Sequence, residues 1–298
     1  MSYGLALFLM VLSAALHAIW NVALRRHPDA PAAVLLFLLG AAALMLFAGV
    51  VDTLFFERDA NALEVAFLWS LAAGVTEGIR FAALARAIRI GPLATVYTVS
   101  RGVPLLALWP ASVLLFHERY DLQTVVAVLV LLAGLFVLSP RRNDAPSGTT
   151  TRAGYLWAIL AAAATVVYNL AYKAALVRGA PVLPLFGAAL IVAAPISAAG
   201  LSPWELSVDA LAHRMGRAFL AGPWIILVGS VAFGGSFLAA LYTMKPEGAA
   251  WVMTMRNLSI ALAPLLAWAL LHERPSMRAF VGVALVFAGA LVLGLSLR

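Results

Sequence analysis

The sequence predicts an all-α membrane protein of ten transmembrane helices, arranged as two inverted five-helix repeats around a central cavity. Three observations lead there. The composition is the first: of 298 residues 64% are hydrophobic and only 11% charged, with a mean hydropathy of +1.00. Apolar runs recur along the whole length and leave no room for a sizeable aqueous domain. They do not alternate apolar with polar residues as barrel strands do, so helices are the expected spanning form. The second observation is the number of runs, and the third is that the two halves of the chain echo one another.

Ten runs are long enough to span: 3–24, 32–51, 65–87, 93–116, 122–139, 154–176, 182–200, 219–243, 248–271 and 277–296. Each approaches the roughly 20 apolar residues that a bilayer requires. The first, YGLALFLMVLSAALHAIWN, lacks the positively charged start of a signal peptide and is read as a span. Pro31, Pro92 and Pro181 stand at or just before span starts, where a missing N–H costs least. The polar break SPRRNDAPSGTTTRAG at 139–154 is a linker by its Pro, Gly, Ser, Thr and Arg content. It divides the chain into a first repeat (1–139), a linker (140–153) and a second repeat (154–298). A second polar segment, SPWELSVDALAHRMGR at 202–217, interleaves Trp204, Leu206, Leu211 and Met215 with charges, the pattern of a short amphipathic helix on the membrane surface.

The repeat rests on matched residues in matched order. FHER at 116–119 is echoed by LHER at 271–274; Arg101 by Arg256 and Gly134 by Gly289, all at an offset of 155. WNVALR at 20–25 matches YNLAYK at 168–173, aligning Asn21 with Asn169. An odd number of crossings per half places the second half upside down relative to the first. Inverted repeats of this kind mark secondary transporters, whose substrate site lies at the midplane between them.

Of twenty Lys and Arg, Arg80, Arg101 and Arg256 lie deep inside spans. Each costs about 2.5–3.5 kcal/mol on insertion scales, so such residues face a cavity or a partner. Arg101 and Arg256 each stand eight residues into their span, about 12 Å deep at the helical rise. Two readings stand side by side. Both guanidiniums line a shared cavity and attract an anionic group, for which a planar fork is suited; or each is satisfied internally by a carboxylate or free carbonyls. Glu77 is the one acidic residue deep in a span, and Arg80, three residues on, shares its helix face, so these two form a candidate ion pair or proton-coupling site. One Glu does not neutralise three arginines. Pro104 and Pro110 in span four and Pro264 in span nine either free backbone for the cavity or serve packing.

Spans one and six carry a matched stripe on one helix face: His17, Trp20, Asn21 and Leu24, and Thr165, Tyr168, Asn169 and Tyr172. It faces the bundle interior, either as a binding wall or as interhelical hydrogen bonding. Candidate substrate-binding residues are therefore Arg101, Arg256, Trp20, Asn21, Tyr97, Tyr168, Asn169 and Trp251. His17 is a candidate proton carrier or a hydrogen-bonded core histidine. The HER motifs end spans four and nine, where His and Arg complement the helix dipole and Glu snorkels or pairs locally. GSVAFGGSF at 229–237 is no phosphate loop, since no GK[ST] follows; its small residues suit close helix contact.

No enzyme is expected. There are no cysteines; no Asp lies deep in a span, and neither GxSxG nor HExxH occurs, so neither a metal nor a cofactor is anticipated. The net charge of +7 is spread over short loops, which suits anionic headgroups rather than nucleic acid. A small-molecule substrate and membrane lipids are the expected partners, and the chain is expected as a monomer or weak dimer. A carboxylate-bearing metabolite is the first substrate class; an organophosphate, phosphonate or lipid-linked phosphate is the alternative, and a non-transporting membrane subunit a further one.

At the paired HER motifs, the SAALHAIWN opening and the five-plus-five repeat, the chain resembles the EamA family of the drug/metabolite transporter superfamily. The resemblance covers about 3–139 and 154–296. It implies a ten-helix basket with a central cavity, alternating access, and secondary transport of small metabolites, often amino-acid export, across a bacterial inner membrane. A glutamate ending the fourth and ninth spans is usual in that family; Glu118 and Glu273 occupy those positions. Arg101 and Arg256 depart from the family-wide pattern and make a purely hydrophobic substrate a poor fit. The resemblance implies cytoplasmic termini, whereas eleven arginines on the linker face against six basic residues on the terminal face would place the linker inside.

Overall fold

The computed structural model describes residues 1–56, 59–91, 93–118, 121–138, 152–201, 207–262 and 276–296. Among them there is no strand, and eleven helices follow in order. These are α1 (Tyr3–Arg26), α2 (Ala30–Phe56), α3 (Ala60–Ile90), α4 (Leu93–Phe116), α5 (Leu122–Leu138), α6 (Arg152–Val177), α7 (Val182–Leu201), α8 (Val208–Ala221), α9 (Pro223–Glu247), α10 (Ala249–Arg256) and α11 (Met277–Ser296). Eight are long and apolar enough to cross a membrane: α1 to α4, α6, α7, α9 and α11. Helix α5 is equally apolar but shorter. Large apolar side chains such as Phe8, Phe47, Leu54, Phe136 and Leu291 point outward. Such an exterior suits hydrocarbon rather than water.

Short polar side chains start these helices by binding otherwise orphaned N–H groups. Asp29 Oδ1 accepts from Ala32 (3.2 Å), Asp59 Oδ1 from Asn61 (3.1 Å), Asp121 Oδ1 from Thr124 (2.7 Å) and Ser276 Oγ from Ala279 (3.2 Å). The extensive helix contacts all join the two halves: α3 packs on α6 and α7, α5 on α11, α1 on α9, α2 on α7 and α9, and α4 on α6. The α5–α11 contact is reciprocal. A Cβ on Gly134 would meet the Val286 backbone at 2.8 Å, and one on Gly289 would meet the Leu131 and Ala127 backbone at 2.8 Å. Only glycine allows the two backbones so close.

Two boundaries differ from the sequence expectation. The span expected at 219–243 is α9, Pro223–Glu247, because Gly222 interrupts the helix and Pro223 restarts it at N1. Residues 219–221 belong instead to α8, the amphipathic helix, which carries exposed Val208, Phe219 and Leu220; 202–206 lie outside the described residues. The span expected at 248–271 opens as α10, breaks at a turn on Asn257, and is helical again over 258–262. The proline expected to interrupt it, Pro264, and the LHER motif lie outside the described residues. Pro104 and Pro110 sit within α4, which is continuous.

The α9–α10 break is held by charge. His117, at φ +54°, ends α4 and sends the Glu118 side chain to the second half. There Glu118 Oε1 accepts from the Ala249 N–H at the α10 N-terminus (2.9 Å) and lies 3.4 Å from Lys173 Nζ. Lys173, buried on α6, also donates to the carbonyls of Met244 (2.9 Å) and Lys245 (3.0 Å) at the α9 C-terminus. A cation thus caps one helix end and an anion the next helix start, as the helix dipoles favour. Glu118 therefore pairs across the halves, not locally as the HER reading expected. Gly248 between them has φ +98°, and a Cβ there would meet Glu118 Oε2 at 2.5 Å. Gly248→Ala is expected to cost about 1–3 kcal/mol of strain, read as a lowered unfolding midpoint in detergent, whereas Gly4→Ala, with nothing within 4 Å, leaves it unchanged.

Helix α8 is tied to the α1–α2 turn. Arg214 donates twice to Asp29 (Nε to Oδ2 2.7 Å, Nη2 to Oδ1 2.8 Å), and His27 Nε2 lies 3.0 Å from the Ala218 carbonyl. The Arg214 hydrogen bonds hold the Asp29 carboxyl below its ordinary range, and Asp29 in turn raises Arg214. A depressed carboxylate contributes stability above its unfolded value, about 3.9, and loses it as pH falls through the lower folded value. The pair is partly exposed and contributes roughly 1 kcal/mol or less. Amide exchange over 208–221 should therefore speed up below about pH 4, and Asp29→Asn should show that faster exchange already at neutral pH.

Candidate functional site

Five helices bring their polar and aromatic residues to one interior cluster. From α1 come His17 and Trp20, ring centroids 5.0 Å apart and edge-to-face. From α9 come Phe233, 5.5 Å from Trp20, and Phe237. From α3 come Glu77, Arg80 and Phe81, from α6 Tyr168, Asn169 and Tyr172, and from α10 Arg256. The stripes read on spans one and six thus face inward, as an apolar exterior requires.

Arg256 is 7% exposed. Its guanidinium carbon sits 3.9 Å from the centre of the Phe237 ring, and Nη2 is 3.5 Å from His17 Nδ1. No carboxylate among the described residues lies within 4.0 Å of it. A ring face offsets part of the desolvation of a cation but carries no formal charge. Arg101, half-buried on α4, is engaged. The charges of Arg256, Arg101 and Arg80 all act on His17, so the three guanidiniums converge on one region.

Glu77 is completely buried. Its Oε2 accepts from the Tyr172 hydroxyl at 2.8 Å, and its Oε1 has no hydrogen-bond partner among the described residues. The ion pair expected from the Glu77–Arg80 spacing is not made within 4.0 Å. Arg80 instead lies over Phe81 (4.2 Å) and Tyr168 (5.6 Å). The (i, i+3) spacing permits the pair, but rings from α3 and α6 compete for the guanidinium and a hydroxyl from α6 takes the carboxylate.

Each asparagine spends one amide N–H on its own helix. Asn21 Nδ2 donates to the His17 carbonyl (2.6 Å) and Asn169 Nδ2 to that of Thr165 (2.7 Å), each four residues back on its own helix. Asn169 Oδ1, Trp20 Nε1 and His17 Nε2 are buried with no hydrogen-bond partner among the described residues. Trp251 does not join the cluster: it is 1% exposed and packs on Tyr3 at 6.3 Å. It lines a separate hollow of about 340 Å³ at the α9–α10 junction. The Tyr97 side chain lies outside the described residues. Among those residues no cluster of His, Asp and Glu is arranged to hold a metal ion.

Three features of the site escaped the sequence reading. Tyr172 was visible as a member of the stripe, but not as the partner of Glu77. Phe237 lies within the glycine-rich stretch and gave no sign of standing beneath Arg256. Lys173 looked like a residue near a span end and is instead buried against Glu118.

Comparison with known proteins agrees with this architecture. No curated protein matches the chain. A solved crystal structure, described simply as that of a protein, superposes with a TM-score of 0.70 at 22% identity, covering 98% of this chain and 96% of that one. At that identity the likeness is one of fold. Residues 152–295 match the EamA-like transporter family, within the drug/metabolite transporter superfamily. With its apolar exterior, spanning helices and polar interior, the chain is a multi-pass membrane protein whose second half, residues 152–295, matches the EamA-like transporter family.

Proposed function

We propose that the protein is a secondary active transporter that exports small carboxylate-bearing metabolites, amino acids first, across a bacterial inner membrane. It works by alternating access between two inverted five-span repeats, and the cluster around Arg256 is the midplane site. The observation that carries this reading is the excess of positive charge in that cluster. Arg256 rests on a ring, Arg80 rests on two, and Glu77, the acid beside them, is spoken for by Tyr172. A buried cation held by a ring face and a neutral imidazole, with no carboxylate among the described residues, has lost its hydration and gains strongly from an arriving anion. Trp20 and Tyr168 supply apolar walls, and the Trp20 N–H and the Asn169 side-chain carbonyl, which have no partner among the described residues, are polar groups ready for a ligand.

Two features support the repeat. Gly134 and Gly289, paired by the sequence offset, each receive the other's helix. The dominant contacts run between the halves, so relative motion of the halves would open and close the interior to either side. Glu77, buried with one free oxygen, suits a coupling proton.

Flux through proteoliposomes holding the purified protein alone tests transport; no flux of any amino acid would remove the reading and leave a non-transporting subunit. Arg256→Gln should weaken substrate affinity by roughly 30-fold or more, with protein abundance and unfolding midpoint held or raised, since a buried charge without a carboxylate is removed. Lost expression would assign Arg256 a structural role instead. Competition by phosphonates stronger than by carboxylates would move the substrate to the phosphate class.

A further inference from the structure

The hollow at the α9–α10 junction is distinct in chemistry from the arginine cluster. Its walls carry three aromatic side chains, Trp109, Phe116 and Trp251, and two carboxylates, Glu118 and Glu247. Lys173 is there too, but it is consumed by Glu118 and the two α9 carbonyls. Glu247 is half-buried at the end of α9, and no cation among the described residues lies within 4.0 Å of it. The lining therefore carries two carboxylates, and the cations that act on Glu247, Lys173 and the N-terminal ammonium, stand beyond ion-pair distance of it. Trp109 is held in place by donating its indole N–H to Thr254 (3.1 Å). The Trp251 N–H is buried with no acceptor among the described residues.

We propose that this hollow is an outer binding site for an organic ammonium group, read by Glu247 and the faces of Trp109 and Trp251. Aromatic rings beside a carboxylate form a recurrent recognition surface for ammonium ions, and about 340 Å³ lies within the size range of small-ligand sites. A ligand oxygen beside Trp251 would satisfy its indole N–H. Helix α10 joins the two places: Trp251 lines the hollow, and Arg256 stands five residues further, about 7.5 Å along the axis. A substrate passing between them meets the Glu247 carboxylate for its ammonium in the hollow and the Arg256 guanidinium for its carboxylate deeper in the bundle. This inference rests on the transport reading above and adds to it a separate site for the ammonium end of the substrate.

Calorimetric titration of the purified full-length protein with leucine methyl ester isolates the outer site, since the ester keeps the ammonium and lacks the carboxylate. Binding should weaken roughly tenfold in Glu247→Gln and persist in Glu247→Asp, which retains the charge. No binding to the native protein, or equal binding to Glu247→Gln, overturns the proposal. N-acetyl-leucine, which keeps only the carboxylate, should be transported at least tenfold less efficiently than leucine, by the same magnitude of lost interaction. Equal transport of the two overturns the ammonium site and leaves the anion reading of Arg256 standing. Glu247-dependent ester binding, with neither carboxylate moved, keeps the outer site and removes the anion reading.

Discussion

A guanidinium enclosed in a hydrocarbon-spanning bundle has no water to hold it, and the interior of this protein is organised by what takes the place of water. Around Arg256 the replacement is a ring face from α9 and an imidazole from α1, and around Arg80 two rings from α3 and α6. These partners come from different helices, so the charge ties the bundle together. They are also weaker than a carboxylate, which is the physical ground for the anion site proposed above.

The end-to-end meeting of α9 and α10 solves a second electrostatic problem. Breaking a helix inside a membrane exposes carbonyls on one side of the break and N–H groups on the other. Here Lys173 covers the carbonyls, Glu118 covers the first N–H, and the two neutralise one another across the gap. Because Glu118 follows α4 and Lys173 belongs to α6, the break is stapled jointly by both halves. The same staple sets where α10 begins, and hence the depth at which Trp251 and Arg256 stand. The charge that shapes the hollow and the charge that shapes the inner cluster are thus placed by one short helix.

These two regions differ in the charged groups they hold. The inner cluster sets Arg80 and Arg256 beside one acid that is bonded to a tyrosine, whereas the hollow is lined by two carboxylates and one lysine already in use. A neutral apolar compound gains nothing from that arrangement. A molecule with separated charges is matched at both ends, and that complementarity underlies the functional reading.

The linear sequence by itself determined the membrane class, most of the helix positions, the amphipathic α8 and the inward face of spans one and six. Each of these follows from composition or from a period along one chain: an apolar run crosses a bilayer wherever it packs, and a polar stripe turns away from lipid whatever its neighbours. Helices α1, α4, α6 and α7 accordingly begin and end within a few residues of expectation. Tertiary structure alone decided the pairings. Glu77 bonds Tyr172 rather than the nearby Arg80, Asn21 and Asn169 bond back onto their own helices, Trp251 leaves the cluster for the hollow, and Lys173 is drawn inside by Glu118. A side chain's partner is the best of all groups brought within reach by packing, most of them distant in sequence, and spacing along a single helix ranks only the local ones.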